Sequence, residues 1–302
     1  MKSVKHTLAL SLSVLLVLGL TGCGIRNSVR PPVPPEPDIV DTTTVSPAPD
    51  PAAPSVSVPS PVTGIPVSIY LFSGEHLVAV RREATSSATL KESLTALFEG
   101  PTATEAAAGL SSLVPEGTTL RGASIENGTA RVDVSGAFEV GGGSLSALGR
   151  VAQIVFTATQ FPTVEGVVFS VDGKPVTSIT SEGVVVDTPQ TRATFEDLSA
   201  VILVESPVRG DTVSIANPLR VVGTANTFEA QFMITVRGAD GSDLVEESVM
   251  ASSGTGTRGT FDVSIPLSAS TASGEGAVVV WYHSAKDGAP IIVDTVPITF
   301  KR

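Results

Sequence analysis

Histidine is the residue most often used for acid–base catalysis near neutral pH, and two histidines lie outside the first 22 residues. His76 lies beside the turn-forming pair Ser73-Gly74, and His283 lies at the end of an apolar, strand-like run. A Ser-His-Asp triad would place one of them beside an activated serine, yet no serine lies in a Gly-x-Ser-x-Gly segment. We therefore interpret His76 as a solvated turn residue and His283 as a strand-end residue, and we predict a catalytic role for neither.

Acidic residues are plentiful, and paired carboxylates could support acid–base chemistry. The adjacent pairs Glu196-Asp197 and Glu246-Glu247 would point to opposite faces of a strand, so neither is a dyad. Asp172, Asp240 and Asp287 each precede glycine, as turn residues do. No cysteines or histidines cluster at metal-ligand spacing. The sequence predicts no catalytic, cofactor-binding or metal-binding residue and no enzyme, while a dyad assembled from distant residues stays open.

The glycine run Gly141-Gly142-Gly143 precedes a predicted helix, where free backbone amides could bind an anion. The run lacks the lysine of a phosphate-binding loop. We favour a flexible connection from hairpin to helix.

Cys23 is the residue with the clearest chemistry. A short positive segment with Lys2 and Lys5 leads into the apolar run 8–20, and Leu20-Thr21-Gly22-Cys23 follows. The run is shorter than a membrane-spanning helix requires and has the length of a signal-peptide core. The four residues at its end resemble a bacterial lipobox, which implies cleavage before Cys23 and attachment of diacylglyceryl and acyl (palmitate-type) chains to it.

Cys23 is also the only cysteine, so no intramolecular disulfide can form. We predict a signal peptide over 1–22 and a protein held by lipid on the outer face of the cytoplasmic membrane. An uncleaved single-pass anchor is the alternative, and it places the bulk of the chain on the same side.

The net charge of the chain argues against some classes of binding partner. The formal net charge is −11, and loss of Lys2 and Lys5 with the signal makes it −13. An acidic chain without clusters of lysine and arginine argues against nucleic acid and against electrostatic docking on anionic lipid. The membrane is then a partner only through the lipid anchor.

Residues 23–64 are predicted to form a disordered stalk. Eleven of the 22 prolines lie between Pro31 and Pro61. Proline fixes φ and removes backbone donors, so this segment is expected to be extended and partly polyproline II. A proline-rich ligand for a partner module is the alternative.

A first folded domain is predicted over 65–180, with strands at 67–72 and 77–80. Leu90, Leu94, Leu97 and Phe98 share one helix face, with Thr89 and Glu92 at capping-box spacing. Gly100-Pro101 ends this helix, and Thr104 is a candidate cap for a short helix that extends to Leu113.

Asn127-Gly128 predicts a type I′ hairpin that pairs Ile125 with Ala130 and Ala123 with Val132 on one apolar face. A second helix is predicted over 145–160 with Ser144 as its cap, followed by a strand over 166–171. Its expected buried stripe consists of Leu145, Leu148, Val151, Ala152, Val155, Phe156 and Thr159. The order β-β-α-β-β-α-β indicates an α+β domain with a small sheet and two helices on one face.

After a polar connector over 181–199, residues 200–302 contain seven strand candidates separated by turn signals. This pattern predicts an all-β immunoglobulin-like sandwich. Without a disulfide, Trp281 and apolar packing would hold it together. Phe228 is expected in the core, with Glu229 accepting hydrogen bonds from nearby backbone.

Residues 67–176 resemble the GerMN domain of bacterial sporulation and spore-germination lipoproteins. The residues that carry the resemblance are 67–72, Val80-Arg81-Arg82, 94–101, 113–118, 130–135 and Val171-Asp172-Gly173. Residues 201–300 are similar to the immunoglobulin-like domain that often accompanies GerMN. The residues that carry this second resemblance are 202–207, 222–230 and Gly259-Thr260-Phe261.

The two resemblances imply a non-enzymatic extracytoplasmic envelope protein. In sporulation relatives, GerMN domains are similar to ring-building modules. We expect protein–protein assembly, with an envelope protein or peptidoglycan as the partner. A module that binds cell-wall glycan or a small ligand is the alternative.

Overall fold

The structure is a computed structural model, and it describes residues 64–180, 183–268 and 273–302. The predicted signal peptide, Cys23 and nearly all of the predicted stalk lie outside the described residues. No helix in the described ranges is long and apolar enough to cross a membrane.

The first domain contains the predicted strands and helices together with several shorter ones. The elements are β1 (Ile65–Ser73), β2 (His76–Ala84), α1 (Thr89–Glu99), α2 (Ala103–Ala107), β3 (Leu110–Ser111), β4 (Leu120–Glu126), β5 (Thr129–Val134), α3 (Ser144–Ala158), β6 (Gly166–Val171), β7 (Lys174–Pro175), β8 (Ser178–Ile179) and β9 (Val184–Val185). A 3₁₀ turn over Gly136–Glu139 precedes α3. The predicted α+β class and the order of its main elements are confirmed.

Helix α1 has the predicted apolar face but not the predicted cap. Thr89 is its first helical residue, the N-cap is Ala88, and the Ala88 side chain caps nothing. The Glu92 carboxylate instead accepts hydrogen bonds from Ser86 and from the backbone N–H of Thr85, at 2.5 Å for the latter. The carboxylate therefore fixes the loop that leads into the helix.

The capping box belongs to α2, and the prediction that Thr104 caps this helix is wrong. The Thr102 hydroxyl accepts from the N–H of Glu105 at 3.3 Å, and the Glu105 carboxylate accepts from the N–H of Thr102 at 2.8 Å. The helix also ends at Ala107, well before Leu113. It ends early because Gly109 adopts φ 85°, which leads the chain into β3.

The β4–β5 hairpin has the predicted register. Ile125 pairs with Ala130 and Ala123 with Val132. Asn127 and Gly128 adopt φ values of 49° and 78°, as a type I′ turn requires. The apolar face is not uniformly buried, however, because Ile125 is 42% exposed.

Helix α3 buries Val151, Ala152, Val155 and Phe156 of the predicted stripe, but not its two leucines. Leu145 and Leu148 are 60% and 38% exposed, whereas Ala147 and Ile154 are fully buried. Ser144 is the first helical residue, with Gly143 as the N-cap. The helix is shielded on most sides after its first turn, so apolar residues beyond a single stripe are buried.

The strands of the first domain form two principal sheets where the sequence predicted one. One sheet has the order β2-β1-β3 and the other β4-β5-β6-β7. The single-sheet expectation fails because part of the free edge of β1 is closed by side chains of α3 and of Gln160, which lies just after the helix. Gln160 bonds both backbone groups of Ser68 at 2.6 Å, while Thr157 and Gln153 bond the N–H and C=O of Tyr70.

The second domain is the predicted sandwich with one additional short strand. Its strands are β10 (Ile202–Ser206), β11 (Thr212–Ser214), β12 (Leu219–Ala225), β13 (Gln231–Arg237), β14 (Asp243–Met250), β15 (Gly259–Ile265), β16 (Gly274–His283) and β17 (Pro290–Lys301). They form a three-stranded sheet, β10-β12-β15, and a five-stranded sheet, β11-β17-β16-β13-β14. Strand β11 pairs in parallel with the end of β17.

The prediction that Trp281 holds the sandwich together is wrong. Val278 and Val280 point into the core and are fully buried, so Trp281 lies on the opposite face of β16. There its indole N–H donates to the Thr235 hydroxyl at 2.9 Å. The core is built around Phe232 and Phe261, whose rings meet edge to face at 4.9 Å, together with aliphatic side chains from both sheets.

Candidate functional site

The predicted non-catalytic histidines lie far apart in the fold. His76 is exposed at the start of β2. His283 is exposed at the end of β16, where its ring meets Trp281 and its Nδ1 lies 3.1 Å from the carbonyl oxygen of Gly288. Across the residues that the structure describes, no three His, Cys, Asp or Glu side chains are grouped to hold a metal ion.

The glycine run before α3 is organised by a buried arginine that sequence reasoning did not single out. Arg150 is 1% exposed, and its guanidinium donates to the carbonyl oxygens of Phe138 at 2.7 Å, Val140 at 3.1 Å and Gly141 at 2.6 Å. The remaining bonds reach the carbonyl and hydroxyl oxygens of Ser146. The loop is therefore tied to α3, and the predicted flexible connection is wrong.

Burial lowers the pKa of Arg150 below its ordinary value. Its hydrogen-bond acceptors among the described residues are all neutral oxygens, so none of them offsets the desolvation of the charge. A charged residue among the apolar positions of the predicted helix, seven residues after a glycine run, is the signal that could have identified this contact.

A second arginine, Arg192, lies where the two domains meet. It comes from the 3₁₀ helix Arg192–Leu198 that joins the domains. Its guanidinium lies over the rings of Tyr70 and Phe156, with centroid distances of 5.3 and 4.9 Å, and forms an ion pair with Glu205 of β10. The Tyr70 hydroxyl also donates to Glu205 at 2.6 Å, so strand β1, the connecting helix and strand β10 share one polar cluster.

The charges in this cluster stabilise one another. Burial and then the negative charge of Glu205 raise the pKa of Tyr70 far above its ordinary value. Burial alone would lower the pKa of Arg192, but attraction to Tyr70 and Glu205 outweighs burial and raises it. A phenol and an arginine held in these states are poor proton donors near neutral pH, so the cluster is suited to structure and not to acid–base catalysis.

Further contacts fasten the domains together. Arg81 of β2 pairs with Asp211 at 2.5 Å, and its backbone N–H donates to the carbonyl of Arg209 at 3.1 Å. Leu203 and Val208, which follow the connecting helix, pack into the core of the first domain. The connecting segment itself is anchored there by Phe195, which is 3% exposed. The two domains therefore share packed side chains as well as ion pairs.

The first domain presents an exposed apolar surface near the start of α3, which we call the α3 patch. It consists of Val140, Leu145, Leu148 and Val185, which are 67%, 60%, 38% and 61% exposed. Leu148 and Val185 also line a shallow groove of about 280 Å³ with Val184 and Phe195 at its side. Among the residues that the structure describes, no charged side chain lines this groove.

The fold defines the class of protein: an α+β domain joined to an immunoglobulin-like sandwich. Residues 68–177 match the family model Germane, described as sporulation and spore germination. Residues 201–289 match the family model Gmad2, described as the immunoglobulin-like domain of bacterial spore germination. Residues 68–177 and 201–289 therefore match two domain families of bacterial sporulation and spore germination, as the resemblance implied.

Solved structures that resemble the chain include GerMN domains. The first GerMN domain of the sporulation protein GerM from Bacillus subtilis is 23% identical, with 43% of this chain and 98% of that chain covered and a TM-score of 0.38. The tandem GerMN domains of the same protein are 16% identical, with coverage of 67% and 61% and a TM-score of 0.40. A putative lipoprotein from Clostridium perfringens is 18% identical, with coverage of 44% and 91% and a TM-score of 0.33. No curated protein is significantly similar to the chain.

Proposed function

We propose that this chain is a non-enzymatic envelope protein, held by lipid at Cys23 on the outer face of the cell membrane, that assembles with other envelope proteins in sporulation or germination. The observation that carries the proposal is the α3 patch. The two matched domain families support the process, and the lipobox-like residues support the anchor.

The α3 patch has the character of a protein-binding surface. Leu145 and Leu148 are one helical turn apart, so they lie on the same side of α3. Large apolar side chains grouped on a surface are typical of interaction sites, whereas single exposed ones are common on any protein. The segment from Val140 to Gly149 contains no charged residue, and Arg150, which follows it, is buried. A partner with an apolar ridge would remove this surface from water without burying an unpaired charge.

The supports of the patch are rigid, which favours binding because little conformational freedom is lost on contact. Arg150 fixes the loop that carries Val140, through bonds to three loop carbonyls. Phe195 fixes the segment that follows Val185. A surface held in place on both sides would present the same shape to each partner molecule.

In-cell photo-cross-linking would test the assembly role. A benzophenone amino acid replaces Leu145 in the full-length chain, and Ile125, exposed on the β4–β5 hairpin, serves as the matched control position. We expect one recurrent envelope protein to be captured from position 145, with capture lost in Val185→Glu. Equal labelling from both positions would count against the proposal, and capture of glycan alone would favour a wall-binding module.

The anchor has its own test. Mass spectrometry of the N-terminal peptide should find acyl and diacylglyceryl groups on Cys23, and Cys23→Ser should release the protein from the membrane fraction. Retention of the Cys23→Ser variant in the membrane would instead indicate an uncleaved anchor.

A further inference from the structure

Two loops at one end of the sandwich adopt an unusual backbone. Residues 226–230, before β13, form the first, and residues 252–257, between β14 and β15, form the second. Three non-glycine residues in them lie in the left-handed region: Glu229 with φ 54°, Ala230 with φ 61° and Thr255 with φ 54°. Residues with side chains rarely adopt this conformation, and they keep it only where surrounding contacts hold them there.

The surrounding contacts are hydrogen bonds between the two loops. The N–H of Thr255 donates to the carbonyl oxygen of Thr227 at 2.9 Å, and the Thr255 hydroxyl accepts from the N–H of Glu229 at 2.9 Å. The Asn226 side-chain oxygen accepts from the N–H of Gly256 at 2.9 Å. A Cβ on Gly254 would lie 2.4 Å from the Thr227 carbonyl oxygen, so the loops are in direct backbone contact.

This arrangement presents an aromatic side chain to solvent. The sequence led us to expect Phe228 in the core, and that prediction is wrong, because Phe228 is 70% exposed. Met250 is 71% exposed, and it pairs with Gln231, three residues after Phe228. The N–H of Ala251 donates to the carbonyl oxygen of Ala230 at 2.9 Å, so both apolar side chains belong to the same end of the sheet.

Exposed acidic side chains lie on the same segments as this pair. Glu229 follows Phe228 directly, and β14 carries Glu246 on the face of Met250 and Glu247 on the opposite face. Within the described ranges, none of these three carboxylates forms an ion pair. Met250 and Glu246 are four residues apart in a strand and so lie on one face.

We propose that Phe228 and Met250 are the anchors of a second docking surface, and that its partner is a protein with an apolar pocket rimmed by lysine or arginine. The left-handed residues beside Phe228 keep its ring out of the core of the sandwich, so the ring adds nothing to the packing there. They hold it in an exposed position from which it can enter a pocket on a partner. The unpaired carboxylates select a basic rim. A second copy of this chain would bring the same carboxylates together, so self-association is disfavoured.

Photo-cross-linking from position 228 of the full-length chain in cells tests this inference. A benzophenone amino acid replaces Phe228, and Ile292, which is 61% exposed on β17, is the matched control position. We expect one protein to be captured from position 228 alone, through a peptide that contains apolar residues and lysine or arginine. With the probe moved to Met250, Phe228→Ala should weaken capture about thirtyfold, on the scale of an aromatic hot spot. Glu229→Lys should also weaken capture, and the loss of capture should be larger at low salt than at high salt.

Several outcomes would overturn the proposal. They are equal capture from positions 228 and 292, capture of a second copy of the chain, and capture that persists in Glu229→Lys at low salt. A melting temperature of Phe228→Ala that falls by more than about 4 °C would assign the ring a structural role. Cross-links from Leu145 report on the α3 patch separately, so failure here leaves the proposed function standing, and the reverse also holds.

Discussion

Arg150 is fully buried and Arg192 is partly buried, and the two arginines have different roles in the two regions of the molecule in which they lie. Arg150 lies within one domain and bonds only neutral oxygens. Arg192 joins two domains and is paired with the carboxylate of Glu205 and two aromatic rings. The pKa of Arg150 lies below its ordinary value, and that of Arg192 lies above it. An arginine shielded from solvent can therefore either hold a loop through its hydrogen-bond donors or join domains through its charge.

The largest effect is expected when the loop-holding arginine is removed. Arg150→Met would leave the carbonyl oxygens of Phe138, Val140 and Gly141 without their donor. The unsatisfied buried carbonyl of Phe138 costs about 1–3 kcal/mol, and loss of the bonds that hold the part-buried carbonyls of Val140 and Gly141 adds to it. Removal of a buried charge offsets part of this cost, so we expect a net loss of about 3 kcal/mol. Urea unfolding of the full chain measures this. The stability of Arg150→Lys should lie between that of the unaltered chain and that of Arg150→Met, because an ammonium group cannot reach all the acceptors. An unchanged urea midpoint in Arg150→Met would refute the assigned role.

The domain-fastening arginine should have a smaller effect with a different signature. Arg192→Met leaves Glu205 partly buried beside Tyr70 without its cation, and we expect a loss of about 2 kcal/mol. Since the lost contacts join the domains, calorimetry should resolve two transitions in the variant where the unaltered chain shows one. A single, uniformly shifted transition would mean that the shared core, and not Arg192, couples the domains.

Alkaline pH should weaken the same cluster. The pKa of Tyr70 is raised on folding, so above the ordinary tyrosine pKa of about 10 the unfolded chain releases a proton that the folded chain retains. Stability from this group is complete below that pH and falls as pH rises beyond it, by up to about 1.4 kcal/mol per pH unit. In Tyr70→Phe, the free energy of unfolding should depend less on pH between about pH 10 and 11. An equal slope in both proteins would contradict the assignment.

The smallest effect is expected at an exposed pair. Arg220 bonds Asp262 in a bidentate arrangement at 2.8 and 2.6 Å between β12 and β15, with both side chains more than half exposed. Such pairs are screened by water and salt. Arg220→Met should leave the melting temperature within experimental error, and a shift as large as that of Arg192→Met would show that burial is not what separates these arginines.

Local patterns in the sequence predicted much of the fold. Asn127-Gly128 determines the turn of one hairpin, and alternation then determines which residues pair across it. The seven strands of the second domain were evident because each is a short apolar run between turn residues. These features depend on neighbours in the sequence, so they can be read without the rest of the chain.

Other features depend on distant residues and could not be predicted. Leu145 has the correct helical spacing for a buried stripe but is exposed, because among the described residues the elements that bury Ala147 do not cover the side of the first turn that carries Leu145. Phe228 lies outside the core because left-handed residues after it turn the chain. The residues of the docking surfaces were therefore missed, since an exposed apolar side chain and a buried one are identical in sequence.

The closure of β1 by α3 has a consequence for the order of folding. Gln153, Thr157 and Gln160 supply the bonds that a neighbouring strand would otherwise make, and they lie 83 to 92 residues beyond their partners Ser68 and Tyr70. The hairpin of β1 and β2 can form early, but its open edge cannot be sealed until α3 has been synthesised and docked. Contacts so far apart in the chain are slow to form, and an open strand edge is the segment most prone to aggregate in the interval. Three polar residues on and just after α3 thus limit how early this domain can complete its folding, and until then its open strand edge is exposed to other chains.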